Sequence, residues 1–252
     1  MANELSISRK NFEEIKILRN AGKILAHILK CIRSSLKPGI TTKQIEAYAD
    51  KLMGQFEVTS AFKGYKGFPG SICVSVNEEI VHGIPGERVI NSGDMVSIDC
   101  GIVHKGYYAD SAFTSGVGRI APDLQSLIRV ANESLYRGIA KARVNNRLSD
   151  ISFAIQQCVE RQGFSVVREF VGHGIGKSLH EDPEVPNFGE PNQGPILEEG
   201  MVLCLEPMVN LGGWQTKIKE DGWTVVTADN KPSAHFEHMI AITRRGPEIL
   251  TR

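Results

Sequence analysis

The sequence lacks three features that would set it apart from ordinary globular proteins: a cysteine framework, a long apolar run and an excess of one charge. Its five cysteines are an odd number, lie far apart and include no C-x-x-C pair, which predicts reduced thiols rather than disulfides. No uncharged apolar stretch reaches about 18 residues, and the N-terminus has neither a basic start nor an apolar signal core. We therefore expect a cytoplasmic protein with no membrane span.

Charge and length limit the remaining classes. Lys and Arg number 29, as do Asp and Glu, so the net charge is near zero and specific binding to nucleic acid is disfavoured. The 252 residues are 41% hydrophobic, enough to bury a sizeable core. Because no linker-like or low-complexity stretch interrupts the chain, we predict one domain over residues 1–252.

Four helices are predicted from apolar residues spaced by three and four. The first covers residues 8–36 and ends at Lys37-Pro38-Gly39, and the second follows a capping box formed by Thr41 and Gln44. The third opens at Pro122, and the fourth is capped by Ser149 and ends at Gly163.

Strands are predicted between and after these helix pairs, at 72–76, 95–99, a pair within 101–114, and then 166–171, 201–206, 214–226 and 235–243. Residues 62–69 are predicted to form a loop. Gly93 precedes Asp99 by the same six positions that separate Gly200 from Glu206, with Met-Val between in both. The halves 12–120 and 121–252 are thus predicted to be related, with acidic residues meeting at a pseudo-two-fold axis.

Three carboxylates lie in strongly apolar strands. Asp99, Glu206 and Glu237 are each surrounded by apolar residues, where an ionised carboxylate costs several kcal/mol unless it is compensated. These strands contain no Lys or Arg, which favours a bound cation, although a buried ion pair stays open as the alternative.

With Asp110 and His173, the set becomes four carboxylates and one imidazole. These mostly hard ligands disfavour a sulfur-rich structural zinc site and suit manganese, cobalt, iron or zinc. Four negative charges balance two dications, and carboxylates can bridge two ions, so we predict a dinuclear site.

A dinuclear site of this kind can activate water for amide hydrolysis. His82 and His180 lie among Gly and Pro in predicted loops, where they either serve this chemistry or are exposed histidines without a role. The glycines around His173 do not fit a phosphate loop, because no Lys-Ser/Thr ending follows; we attribute them to close backbone packing. Cys73 and Cys100 have no adjoining His, which favours small core residues over a thiol protease.

Taken together, six stretches resemble type I, bacterial-type methionine aminopeptidases of metallopeptidase family M24. They are Ser75-Val76-Asn77-Glu78 to His82-Gly83-Ile84-Pro85, Asp99-Cys100-Gly101, Tyr107-Tyr108-Ala109-Asp110, Gly172-His173-Gly174-Ile175-Gly176 to His180-Glu181-Asp182-Pro183, Glu206-Pro207, and Trp223 to Glu237. The resemblance runs in order from about Phe12 and implies an α+β pita-bread fold. In that fold a pseudo-two-fold antiparallel sheet carries two pairs of helices on its outer face.

The resemblance also implies a role for each site residue in removing the initiator methionine when the second residue is small. Asp99 would chelate one divalent ion, His173 and Glu206 would bind the other, and Asp110 and Glu237 would bridge them. Glu206 would also shuttle a proton, while His82 and His180 would contact the substrate amide. The methionine side chain would be surrounded by Phe62, Tyr65, Phe68, Cys73, Leu179 and Trp223.

Three positions depart from the commonest family pattern, namely Leu179, Phe62 and Cys100, and they put the shape of the pocket in question rather than metal binding. The implied partners are nascent polypeptide N-termini, with transient ribosome association and a monomeric state. Two rivals remain: an X-Pro peptidase of the same fold, which usually has a further N-terminal domain, and a metal-free binding protein, which would not need all five ligand positions filled.

Overall fold

The computed structural model describes residues 7–252, and within that range the chain forms four helices and fifteen strands. Residues 1–6, on which the expected absence of a signal peptide rests, lie outside it. The helices are α1 (Phe12–Ser35), α2 (Thr42–Gln55), α3 (Pro122–Lys141) and α4 (Leu148–Glu160). In the part of the chain described, none of the helices is long and apolar enough to cross a membrane.

The N-terminal ends of α1 and α2 are fixed by capping boxes. The side chain of Asn11 accepts from Glu14 N at 3.0 Å, and the Glu14 carboxylate accepts from Asn11 N at 2.9 Å. The first helix therefore begins at Phe12, four residues later than predicted, because Asn11 satisfies the free backbone donors there. The box predicted from Thr41 and Gln44 is confirmed at α2.

The predicted cap of α4 is wrong by two residues. The helix begins at Leu148, and the Asp150 carboxylate accepts from Arg147 N at 2.9 Å. The hydroxyl of Ser149 instead accepts from Gln193 N at 2.6 Å, so it ties the helix to a later loop rather than capping it.

Fifteen strands follow the chain order. They are β1 (Thr59–Ser60), β2 (Cys73–Val76), β3 (Glu79–Val81), β4 (Met95–His104), β5 (Tyr107–Gly116), β6 (Ser165–Val166), β7 (Gly172–Gly174), β8 (Glu181–Val185), β9 (Val202–Leu205), β10 (Met208–Asn210), β11 (Thr216–Ile218), β12 (Val225–Thr227), β13 (Ser233–His235), β14 (Glu237–Thr243) and β15 (Gly246–Ile249). The main sheet has nine strands, ordered β1-β4-β5-β14-β9-β7-β8, with β2 also paired to β4 and β15 to β14. Two three-stranded sheets, β13-β10-β6 and β11-β12-β3, complete the set.

All the strand pairings in the described residues are antiparallel, which confirms the predicted α+β class. Four predicted strand regions differ from the structure. Residues 101–104 continue β4, so the strand predicted at 95–99 and the pair predicted within 101–114 form two strands, β4 and β5, instead of three. The segment 214–226 forms two strands, β11 and β12, and 166–171 keeps only its first residue in β6. The segment 235–243 is broken at Phe236, since β13 and β14 pair in different sheets. The predicted loop at 62–69 contains one short 3-10 turn, Tyr65–Gly67.

The helices cover one face of the main sheet and leave the other for the site. The α1 helix contacts β4 and β5, α3 contacts β5, β9 and β14, and each helix also packs on its pair partner. The guanidinium of Arg33 on α1 lies 4.2 Å from the ring centroid of Phe113 on β5. Because side chains alternate along a strand, Asp110 on β5 faces away from the helices.

Candidate metal centre and substrate pocket

Strand register brings the first three carboxylates together. On one side of β5, Asp99 pairs with Ala112, and on the other side Glu237 pairs with the same Ala112. Asp110 lies two residues away on β5 and so shares their face of the sheet. One oxygen from each of the three carboxylates lies within 4.8 Å of the others. Three adjacent strands thus present three carboxylates to one point.

The other two predicted ligands approach from β7 and β9. His173 pairs with Cys204, and Glu206 follows β9 directly, with its Oε1 atom 3.6 Å from Nε2 of His173. The imidazole Nδ1 of His173 hydrogen-bonds the carbonyl of Gly174 at 2.8 Å, which turns Nε2 toward Glu206. At Gly174 a Cβ atom would lie 2.2 Å from the carbonyl oxygen of Asp182, so close backbone packing explains this glycine.

Hydroxyl groups on β5 bind the backbone of β13 and of β14. The Thr114 hydroxyl accepts from His235 N and donates to His235 O, both at 2.8 Å, while Ser111 donates to Glu237 O at 2.7 Å. These bonds secure the backbone on both sides of Phe236, where the strand breaks. The carboxylate of Glu237 is thereby held on a rigid element.

Electrostatics shows that the five groups fit a metal site. Burial first, and then the neighbouring carboxylates, raise the pKa values of Asp99, Glu206 and Glu237 well above their usual range, and burial raises the pKa of Asp110 to about 7. Burial also lowers the pKa of His173 to about 3, which keeps the imidazole neutral as a ligand requires.

Unpartnered oxygens provide a second test of that fit. Among residues 7–252, buried oxygens of Asp99, Asp110 and Glu237 have no hydrogen-bond partner, and none of the four carboxylates pairs with Lys or Arg. Orphaned buried oxygens are costly, and a cation satisfies several of them at once. The donor set therefore fits divalent metal.

Metal binding is expected to release protons and to weaken as the pH falls below about 7. The raised pKa values keep protons on carboxyl groups that metal must displace, and the protonated fraction of Asp110 grows as pH falls through its pKa of about 7. Titration calorimetry of the metal-free protein at about pH 6 and about pH 8, in two buffers of different ionisation enthalpy, measures both quantities.

The same pKa values determine how the stability of the metal-free protein depends on pH. Near neutral pH these carboxyl groups hold more protons in the folded state than in the unfolded chain, so they add stability as pH falls from about 7 toward the ordinary carboxyl range near 4. The buried histidines act in the opposite direction below about pH 6.5, because burial lowers the pKa values of His82 and His238 to about 4 and those of His173 and His235 to about 3. In the calorimetric experiment, equal metal affinity at about pH 6 and about pH 8, with no proton release, would contradict the conclusion that metal displaces protons from these carboxyl groups.

The two loop histidines line the same cavity. His82 has a left-handed backbone, with φ 59°, and its ring lies 5.7 Å from the centroid of Phe170. His180 lies at the cavity mouth, where its ring is 4.2 Å from that of His173 and its Nδ1 contacts Tyr65 Oη at 2.8 Å. Burial lowers the pKa of His82 to about 4, and partial burial together with Lys66 lowers that of His180. Both are neutral at pH 7.

One cavity of about 260 Å³ is lined by all thirteen residues that the sequence singled out. They are Phe62, Tyr65, Phe68, Cys73, His82, Asp99, Asp110, His173, Leu179, His180, Glu206, Trp223 and Glu237. The lining includes aromatic side chains, with the rings of Phe68 and Trp223 5.2 Å apart, and the four carboxylates. Cys100 does not line this cavity and is fully buried.

Three further residues at the site were missed from the sequence. Lys66 lines the cavity, and the buried His235 has its Nε2 atom 3.8 Å from Glu206 Oε2. Cys204 forms a second ligand-competent group with His173 and Glu237, their donor atoms lying within 4.8 Å of one another. The alternation of the predicted strands 201–206 and 235–243 could have indicated Cys204 and His235, because each lies two residues from a predicted ligand, although the structure breaks the second segment at Phe236.

Comparison with known proteins agrees with this geometry. Residues 16–244 match the profile of metallopeptidase family M24. Methionine aminopeptidase from Clostridium perfringens is 54% identical over 96% of this chain and 97% of its own, and methionine aminopeptidase 1 from Bacillus subtilis is 53% identical over 96% and 98%. The crystal structure of methionine aminopeptidase from Thermotoga maritima superposes with a TM-score of 0.96 at 45% identity, covering 98% of this chain and 99% of that one.

The chain therefore belongs to metallopeptidase family M24, a family of hydrolases that use divalent metal. Within it, the similarity over nearly the whole length is to bacterial-type methionine aminopeptidases. The prolidase from Pyrococcus furiosus shares the fold, with a TM-score of 0.78, but it is 20% identical and this chain matches 65% of its length. The pita-bread architecture expected from the sequence is confirmed.

Proposed function

We propose that this protein removes N-terminal methionine from peptides and nascent chains when the second residue is small, using two divalent ions. The observation that carries the proposal is a cavity that is lined both by the five ligand groups and by aromatic side chains. When bound, the ions would lower the pKa of a water molecule and polarise the scissile carbonyl.

The position of each ligand in the sheet suggests whether it binds one ion or bridges the two. Asp99 on β4 is proposed to chelate one ion and His173 with Glu206 to bind the other, on opposite sides of the cluster. Asp110 and Glu237, on the two central strands, are proposed to bridge. Glu206 lies 3.6 Å from His173 and 3.8 Å from His235 and lines the cavity, where its carboxylate is proposed to take up a proton and give it back.

His82 and His180 are proposed to act on the substrate amide. Both are neutral and both line the cavity, so each can donate one N–H toward a carbonyl or developing oxyanion. His180 contacts the Tyr65 hydroxyl through Nδ1, which leaves Nε2 for the substrate.

The apolar part of the cavity lining is proposed to bind the methionine side chain. Phe62, Phe68 and Cys73 are buried, and Tyr65, Leu179 and Trp223 complete the lining. Such a pocket suits an unbranched, polarizable thioether.

Specificity for the second residue tests the function directly. We expect efficient cleavage of Met-X-Gly-Met peptides when X is Gly, Ala or Ser, and a steep fall in kcat/KM for Leu and Lys, because His82 and His180 crowd the cavity beyond the methionine. Norleucine should replace methionine moderately well, since one apolar group changes binding by about 1–3 kcal/mol. The measurement is kcat/KM across the series, with Leu179→Phe as a variant expected to narrow the tolerance for Thr and Val.

Two outcomes of this series would count against the proposal. Equal kcat/KM for Met-Lys and Met-Ala peptides would remove the specificity claim. Efficient cleavage of Ala-Pro peptides with no action on Met-Ala would instead assign the X-Pro activity of the prolidase relatives.

Several finer features complete the proposal. The ions are cobalt, manganese, iron or zinc, because oxygen and imidazole ligands accept all four. We propose a cytoplasmic monomer that meets nascent chains through transient ribosome association. The order of two helices and a strand group, repeated once, supports one domain of two related halves, 12–120 and 121–252.

A further inference from the structure

A segment preceding α1 lies against the loop that carries His180. The ammonium group of Lys10 contacts Glu181 Oε2 at 2.6 Å, and both side chains are largely buried, with 5% and 16% of their surface exposed. The backbone N of Lys10 donates to the carbonyl of Gly200 at 2.7 Å, which anchors the segment to the residue two before β9. This ion pair joins two parts of the chain that are 171 residues apart.

Glu181 uses both of its carboxylate oxygens. Its Oε1 accepts from Ser178 N at 3.1 Å, and its Oε2 accepts from Ser8 Oγ at 3.0 Å as well as from Lys10. Burial alone would raise the pKa of Glu181, but its hydrogen bonds and the charge of Lys10 outweigh burial and lower it. The carboxylate is therefore ionised at pH 7 and closes the turn 178–181.

That turn carries two residues of the cavity, Leu179 and His180. His180 has one side-chain hydrogen bond in the described structure, to Tyr65. The position of its ring therefore depends on the backbone of the turn 178–181, which Glu181 closes. Gly176 leaves room for the Lys10 side chain beside the turn, because a Cβ atom at residue 176 would lie 2.5 Å from Lys10 Cε.

Burying a lysine is costly, and neither Lys10 nor Glu181 lines the reaction cavity. We propose that Lys10, acting through Glu181, is a positioning residue that holds the turn 178–181 so that His180 meets the substrate. This inference rests on the proposed function, because it assigns Lys10 to the step that His180 performs.

Removing the Lys10 charge should therefore act on turnover more than on binding. Displacing a catalytic group by about 1 Å can cost about 100-fold in rate. We expect Lys10→Met, which keeps the chain length, to lower kcat on Met-Ala-Ser by about tenfold or more, with KM changed by less than about threefold. Lys177→Met is the matched control, since Lys177 lies beside the same turn, is 71% exposed and is 3.8 Å from Glu14; its kcat should be normal.

A double-mutant cycle of Lys10→Met and His180→Ala, assayed with the metal-loaded enzyme, tests whether Lys10 affects kcat through His180. Lys10→Met should have little further effect on kcat once His180 is replaced, whereas fully additive losses would overturn the proposal. The single variant His180→Ala reports on the function alone: if it lowers kcat and Lys10→Met does not, only the role of Lys10 fails. Normal turnover in His180→Ala would contradict both the proposed role of His180 and the proposed role of Lys10.

Stability is separated from positioning by the pair Lys10→Met and Lys10→Met/Glu181→Gln. The first leaves a partly buried carboxylate unpaired and should lower Tm, while the second removes that charge and keeps an acceptor for Ser178 N, so Tm should recover. We expect kcat to stay low in the double variant. Recovery of both Tm and kcat would show that Lys10 stabilises the fold and does not position His180.

Discussion

Asp110→Asn and Glu237→Gln are each expected to lower kcat by about 100-fold to 10,000-fold, because each removes a bridging charge while nearly preserving shape. The two residues are 4% and 2% exposed and lie on the adjacent central strands β5 and β14. The measurement is kcat in a metal-buffered assay, together with the metal content of each purified variant.

The fold should survive both replacements. In the metal-free state the raised pKa values keep protons on most of these carboxyl groups, so exchanging one for a neutral amide of the same shape should leave the Tm of the metal-free protein nearly unchanged. Added metal should raise the Tm of the variants less than that of the parent chain. Glu184→Gln is a matched control, because Glu184 pairs with His173 in register but its own side chain is exposed. A variant of Asp110 or Glu237 with near-normal turnover would remove that residue from the site.

His180→Ala is expected to lower kcat by about 100-fold to 1,000-fold while changing KM little, as expected for a donor that meets charge developing in the transition state. His82→Ala should behave in the same way. Because His82 has a left-handed backbone, His82→Asn is the better second variant: asparagine tolerates that conformation and loses only the imidazole.

The measurements are kcat and KM on Met-Ala-Ser, together with Tm for each histidine variant. Tyr65→Phe tests the orientation of His180, since it removes only the hydroxyl that contacts Nδ1 at 2.8 Å. We expect it to lower kcat less than His180→Ala does. If the histidine variants changed Tm alone, both histidines would be structural residues at the mouth of the cavity.

Much of the secondary structure could be predicted because helix signals are local. The box of Thr41 and Gln44 and the opening at Pro122 are short patterns that the structure reproduces. Some errors came from a local signal that was overlooked, as with the capping box of Asn11 and Glu14, and others came where a distant partner competed with the local signal. Ser149 has the type of a cap residue, but its hydroxyl is engaged by Gln193, 44 residues away.

The candidate site could be located from the sequence because ionised carboxylates are unfavourable among apolar residues, and the residues next to each carboxylate can be read directly from the sequence. A carboxylate among apolar strand residues needs compensation wherever the strand ends up. This argument identified Asp99, Glu206 and Glu237 without any knowledge of pairing. It could not identify Lys66, since an exposed lysine in a loop carries no such signal.

What the sequence by itself determined is the chemistry: the ligand types, the aromatic and thiol groups of the pocket and the helical pairs that flank the sheet. Only the tertiary structure decided which groups meet. Asp99 and Glu237, 138 positions apart in the chain, converge because both pair with Ala112, and Lys10 reaches Glu181 across 171 positions. The physical reason is that helix and strand periodicity act over a few residues. Register, strand breaks and buried ion pairs instead depend on the free energy of packing segments far apart in the chain.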